Sequence, residues 1–173
     1  RNMYKMTLPG RFFVQKFLRQ AVEAQCDVAI LELTSEGARQ FRHKFTYLDG
    51  LLFLNISPEH IESHGNFENF LAAKLSIAKD LVKSSKRNRV IVANNDDNHG
   101  KDFLSIAVPT SIPFSITDAT SINLSHGGSK FYFLDHTFDT NLIGRFNIYN
   151  IIGCGYMAKA FGISIDNIKN GVA

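Results

Sequence analysis

Leu51-Leu-Phe-Leu54 and Val90-Ile-Val-Ala93, with Asn66-Phe-Glu-Asn-Phe70-Leu-Ala-Ala-Lys74-Leu-Ser-Ile-Ala-Lys-Asp-Leu-Val82 between them, decide the fold. The two outer segments are short unbroken apolar runs, the composition of a strand buried on both faces. In the middle segment Phe67, Phe70, Leu71, Ala78 and Leu81 recur at three- and four-residue spacing, which is the period of a helix. Strand, polar loop, helix and strand in that order predict a parallel α/β sheet flanked by helices.

Upstream, Thr7-Leu-Pro9-Gly10 is a break, and Phe13, Val14, Phe17, Leu18, Ala21 and Val22 predict an amphipathic helix that ends near Gln25. Val28-Ala-Ile-Leu31 predicts a further buried strand, opening into Glu32-Leu-Thr34-Ser35-Glu-Gly37. Downstream of the Val90 run lies the polar loop Asn94-Asn-Asp96-Asp97-Asn-His-Gly100. From about Ile112 the texture changes to β-type segments, Phe114 to Thr117, Ser121 to Leu124 and Phe131 to Leu134, with Ser125-His-Gly-Gly128 as a hairpin turn. A last helix starts near Asn147, carries Ile148, Ile151, Ile152, Met157 and Phe161, and stops at Gly162. The expected organisation is a parallel α/β part over residues 1–111, a small appended antiparallel sheet over 112–144, and closing helices over 145–173.

The 173 residues, 45% hydrophobic and 20% charged, suffice for one globular domain or most of one. A formal charge of +3 with scattered basic residues argues against a nucleic-acid partner, and Lys83-Ser-Ser-Lys86-Arg87-Asn-Arg89 is expected as a solvated turn. Cys26 and Cys154 lie in apolar sequence without metal-type spacing and are expected as reduced core residues. No apolar run approaches the roughly 18 residues of a membrane span, so a cytoplasmic protein without a membrane partner is expected. The start at Arg1 reads as a piece of something longer.

Lys74 is the anomaly, because it falls on the apolar stripe of its helix. A buried ammonium without a partner neutralises, pairs or is modified, unless it snorkels to water. Just upstream, Asn55-Ile-Ser-Pro-Glu-His60-Ile-Glu-Ser-His64-Gly65 is dense in acid-base and metal-capable side chains. Open α/β sheets bind ligands at the carboxyl ends of their strands, so Glu32, Ser35, His60 and Asp96 are candidates to converge there. A carboxylate with an imidazole suits a magnesium-type cation, although such loop residues are more often simply solvated. Arg39, Arg42, His43 and Lys44 form a basic loop by default, and an anion site in the sharper reading. No G-x-x-x-x-G-K-[ST] phosphate loop occurs, so a complete nucleotide site is not encoded in these residues.

Taken together these segments resemble the central, ATP-binding domain of the Mur ligases, most closely the MurE type that extends UDP-N-acetylmuramoyl-dipeptide by one amino acid. The resemblance covers nearly the whole chain. Glu32-Leu-Thr-Ser35-Glu-Gly37 is similar to the family's E-V-S-S-H-G, and Asn55 to Gly65 to its N-L-T-x-D-H-L-D-Y-H-G. Ala72-Ala-Lys74, Asn94-Asn-Asp96-Asp97 and Gly144-Arg-Phe-Asn147-Ile-Tyr-Asn150 follow in the family's order. The resemblance implies magnesium ligation by Glu32, His60 and Lys74, the last as a carbamate, with Lys74 and His60 in catalytic roles. It implies ATP contacts from Asn147 and Asn150, and contacts to the UDP-N-acetylmuramoyl-peptide from Thr7, Ser35, Gln40 and Arg42. Leu8 and Glu36 depart from the family's threonine and histidine. The implied reaction is ATP-dependent joining of an amino acid to UDP-N-acetylmuramoyl-dipeptide through an acyl phosphate, in peptidoglycan biosynthesis. The family's phosphate loop would precede this chain and its amino-acid-selecting domain would follow it, so these residues alone are expected to be inactive. A folylpolyglutamate synthase-like ligase and a non-catalytic relative are the alternatives.

Overall fold

The computed structural model describes residues 10–57 and 64–173. The chain divides into two compact units, Arg1–Tyr47 with Ser57–Ser85, and Leu48–Ile56 with Lys86–Ala173.

In the first unit the described helices are α1 (Arg11–Glu23), α2 (Ser35–Arg39) and α3 (Phe67–Val82). Asn66 starts α3 by accepting the Asn69 N–H on its side-chain oxygen at 2.8 Å, which supplies one of the partners a helix start lacks. Phe70, Ile77, Ala78 and Leu81 are the buried residues of α3. Lys74 falls between Phe70 and Ile77 on that same stripe, as the spacing requires. Lys44 Nζ and His43 Nε2 both reach Asp80 Oδ2, at 2.6 and 2.9 Å, and tie the turn after α2 to α3.

The second unit holds β1 (Gly50–Phe53), β2 (Val90–Asn94), α4 (Gly100–Leu104) and β3 (Thr110–Phe114), followed by the 3-10 turn Ile116–Asp118. Then come β4 (Thr120–Ser125), β5 (Gly128–Phe133), β6 (His136–Thr140), α5 (Arg145–Ala160) and α6 (Ile165–Asn170). β1, β2 and β3 form a parallel sheet in that order, with Gly50 opposite Val90 and Val90 opposite Thr110. Every residue of β2 is buried, in keeping with the unbroken apolar run from Val90 to Ala93. Side chains alternate across the sheet. Val90, Val92 and Phe114 join the core beneath Ile148, Ile151 and Ile152 of α5. Phe53 points the other way and stacks on Phe103 of α4 with ring centroids 4.0 Å apart. β4, β5 and β6 form the antiparallel sheet, with the expected hairpin between Ser125 and Gly128.

Two glycines let α5 lie close to both sheets. A methyl group on Gly153 would stand 3.0 Å from Leu52 Cδ1 and Phe114 Cζ, and one on Gly155 would stand 2.7 Å from Phe133 Cε1. α5 ends as expected, with Gly162 in the left-handed region at φ 80° and its N–H donating to Lys159 O at 3.0 Å.

Four expectations are corrected. Val28-Ala-Ile-Leu31 forms no strand; Val28 and Ile30 are 66% and 87% exposed. Four apolar residues cannot hold an extended backbone without a hydrogen-bonded neighbour, and none pairs with them among the described residues. Phe114 belongs to the parallel sheet, since Thr110–Phe114 pairs alongside β2 before the chain turns. Cys26 and Cys154 are exposed. Finally, α1 forms where expected but buries only Val14, leaving Phe13, Phe17 and Val22 exposed, so local hydrogen bonding and spacing define it more than burial does.

Candidate functional site

In the first unit the expected substrate contacts Ser35, Gln40 and Arg42 surround one short helix. The Thr34 hydroxyl oxygen caps α2 by accepting the Gly37 N–H at 3.1 Å, and this places Ser35 at the first helical position, buried. Ser35 Oγ lies 3.1 Å from Nε2 of the buried His64. The His64 ring packs on Phe70 at 5.3 Å between centroids, and the Lys74 ammonium sits over the Phe70 ring at 5.6 Å. Ser35, His64, Phe70 and Lys74 therefore form one continuous run of contacts.

Lys74 is half-buried rather than sealed in the core. Its stem lies along the stripe and its charge meets an aromatic face, a partner that a partly desolvated cation favours. This resolves the anomaly of an apolar-face lysine without requiring it to be neutral. Past the end of α2, Arg42 Nε donates to Gln40 Oε1 at 2.9 Å, and Gln40 Nε2 donates back to Glu36 Oε1 at 2.6 Å. Arg42 and His43 are buried, which corrects the default picture of an exposed basic loop.

Magnesium is the implied cation, and the described residues do not by themselves make up its donor set. Glu32 is exposed, and an unmodified lysine ammonium is no ligand for a cation. Among the described residues no group of three or more His, Cys, Asp or Glu side chains could hold a metal ion. His60, the third expected ligand, and Thr7, an expected substrate contact, lie outside the described residues.

In the second unit, Asn147 and Asn150 stand one turn apart near the start of α5, where Asn150 Nδ2 donates to Asn147 Oδ1 at 3.3 Å. Asn147 Nδ2 donates to Ile143 O at 2.9 Å. The Asn94 to Gly100 loop is a fastening. Asn94 Nδ2 donates to Leu54 O at 2.9 Å, and Asp97 Oδ2 accepts the Ile56 N–H at 3.0 Å. Asp96 Oδ2 accepts the Ile116 N–H and the Tyr149 hydroxyl, each at 2.8 Å. Asp96, expected as a candidate to converge with Glu32, Ser35 and His60, uses its Oδ2 to hold a strand end and a helix together.

Sequence reasoning did not single out His64 or Tyr149. His64 sits inside the quoted motif, but nothing in its spacing announces Ser35, which is 29 residues away. Tyr149 lies between the two expected nucleotide asparagines and reads as an ordinary helix residue until Asp96 is seen beside it.

Burial opposes ionisation of Asp80, yet hydrogen bonds from Lys44 and His43 and their charges hold its carboxyl below the usual aspartate range. A lowered folded-state pKa contributes stability that is present above the unfolded value and is lost as pH falls through the folded one. The difference in thermal midpoint between wild type and Asp80→Asn is expected to be largest near neutrality and to shrink below roughly pH 4. A difference unchanged down to pH 2 would show that the ion pair contributes nothing.

Comparison with known proteins identifies the scaffold. Residues 2–158 match the family described as Mur ligase middle domain. The UDP-N-acetylmuramoyl-L-alanyl-D-glutamate–2,6-diaminopimelate ligase of Chlamydia muridarum is 30% identical over 84% of this chain and 31% of its own length. The corresponding L-lysine ligase of Streptococcus agalactiae is 31% identical over 97% of this chain and 34% of its own length. The chain thus spans about a third of the length of the curated relatives it matches. A solved UDP-N-acetylmuramoyl-L-alanyl-D-glutamate–2,6-diaminopimelate ligase superposes with a TM-score of 0.79 at 22% identity, covering 95% of this chain and 36% of that one, which shows the same fold. With the family match running through all but the first residue and the last turns, the chain belongs to the Mur ligase family and is its middle domain.

Proposed function

We propose that the protein takes part in ATP-dependent addition of an amino acid to UDP-N-acetylmuramoyl-dipeptide, a step of peptidoglycan biosynthesis, in the cytoplasm. The observation that supports this reading is the identity of 30% and 31% with two ligases whose names state the joining of diaminopimelate or L-lysine to that dipeptide. The two differ in the amino acid they add, so the choice between diaminopimelate and lysine is left to experiment.

In this reading a substrate carboxylate oxygen attacks the γ-phosphorus of ATP and ADP leaves. The incoming amine then attacks the acyl carbon, phosphate departs, and the amine loses a proton. Positioning and charge dominate such a reaction. Ser35, Gln40 and Arg42, with Thr7, hold the muramoyl-peptide. Arg42 suits this because its guanidinium is always charged and is already fixed by Gln40. Asn147 and Asn150 contact the nucleotide. Magnesium, when bound, would offset phosphate charge, with Glu32, His60 and a carbamylated Lys74 as its ligands. His60 and Lys74 are the proposed catalytic pair.

ADP release by the protein as encoded is expected to require UDP-N-acetylmuramoyl-L-alanyl-D-glutamate together with diaminopimelate or lysine. Release driven instead by tetrahydrofolate and glutamate would assign a folylpolyglutamate synthase-like activity, and none with either pair would favour a non-catalytic role. Arg42→Ala is expected to raise KM for the muramoyl-peptide about tenfold or more while changing KM for ATP little, since a charged hydrogen bond held in ground and transition states alike is lost. Equal rises in both would point to a folding role.

A further inference from the structure

The start of α5 has no cap of its own. Gly144 precedes it at φ 91° without a side-chain hydrogen bond, and no acidic residue occupies its first turn. A helix end without local capping needs its placement from elsewhere. Asp96 supplies that restraint. Its Oδ2 accepts from the Tyr149 hydroxyl at 2.8 Å and from the Ile116 N–H at 2.8 Å. Its loop is fixed in turn, since the Asp96 N–H donates to Asn94 Oδ1 at 3.0 Å and the Asn95 N–H to Phe114 O at 2.7 Å. Tyr149 lies two residues after Asn147 and immediately before Asn150, so whatever fixes its hydroxyl fixes the turn that carries both amides.

We propose that Asp96, acting through Tyr149, is a positioning residue for the nucleotide, holding the first turns of α5 where Asn147 and Asn150 can engage it. The inference rests on the nucleotide role proposed for those two asparagines. Burial, reinforced by the hydrogen bond to Asp96 and by its charge, raises the Tyr149 pKa above the usual tyrosine value, so the hydroxyl stays a donor throughout the neutral range.

The test compares Tyr149→Phe, Asp96→Ala, Asp96→Asn and Asn150→Ala in the protein as encoded. Tyr149→Phe keeps the ring and deletes only the donor. It is expected to raise KM for ATP by roughly three- to tenfold, the range of one lost hydrogen bond, and to leave KM for the muramoyl-peptide unchanged. Asp96→Asn, which keeps an acceptor oxygen, is expected to recover part of what Asp96→Ala loses. Tyr149→Phe combined with Asn150→Ala is expected to cost less than the product of the single effects, because both act on one contact. An unchanged KM for ATP in Tyr149→Phe, or full multiplicativity in the double variant, would overturn the proposal while Asn150→Ala still impairs ATP use. A silent Asn150→Ala would instead sink the nucleotide reading beneath it.

Discussion

Lys74→Ala is expected to lower ligation by two to three orders of magnitude, with partial recovery when acetate or another short-chain carboxylic acid is added. The size is that of removing one preorganised charged group from a phosphoryl-transfer site. Recovery follows from the proposed carbamate, which would turn the cation on the α3 stripe into an anion. A small carboxylate has the same charge and shape, and the alanine leaves space beside Phe70, over whose ring the Lys74 ammonium sits at 5.6 Å. Thermal stability should fall less than for a fully buried residue, because Lys74 is half-buried. Activity within twofold of wild type would reduce Lys74 to a packing residue. Loss without recovery by any carboxylate would keep the lysine important and remove the carbamate.

Gly100→Ala is expected to destabilise the second unit by about 3 kcal/mol, the upper part of the range for forcing atoms into a packed site. A Cβ there would stand 1.9 Å from Asn94 O and 2.9 Å from Asn94 C, backbone atoms at the end of the fully buried strand β2. Either the strand end or the start of α4 must move, and the Asp96 and Asp97 hydrogen bonds lie on the loop between them. For a unit of this size the thermal midpoint should drop by roughly 10 °C or more. Gly127→Ala is the control, since the nearest atom to its Cβ would be Ser125 Oγ at 3.9 Å. Equal midpoints for the two variants would mean that the close approach at Gly100 is not maintained in solution.

Much of the fold was legible because the residues that build it carry periodic signals. The β1 and β2 runs, the α3 stripe, the Ser125 to Gly128 hairpin and the Gly162 stop all come from local chemistry. What was not legible depends on partners distant in sequence. Val28-Ala-Ile-Leu31 has the composition of a strand, but strand formation is decided by a neighbour that composition does not supply. Thr110–Phe114 carries Pro113 and two exposed hydroxyl residues, so it lacks the apolar run that marks β1 and β2. In the candidate site the helical register put Lys74 on the buried stripe, but not over Phe70. The motif containing His64 did not reveal its bond to Ser35, and nothing in the sequence pairs the Asp96 carboxylate with Tyr149 and Ile116.

The central claim is that this middle domain serves acyl-phosphate chemistry on a muramoyl-peptide carboxylate, and oxygen transfer tests it most directly. UDP-N-acetylmuramoyl-L-alanyl-D-glutamate labelled with oxygen-18 in the reacting carboxylate would be turned over by the protein as encoded, with ATP, magnesium and diaminopimelate or lysine, and the released phosphate analysed by mass. One labelled oxygen per phosphate is predicted, because the carboxylate oxygen that attacks the γ-phosphorus leaves with it when the amine closes the amide. Turnover that releases unlabelled phosphate, or no turnover of the muramoyl substrate at all, would contradict the account.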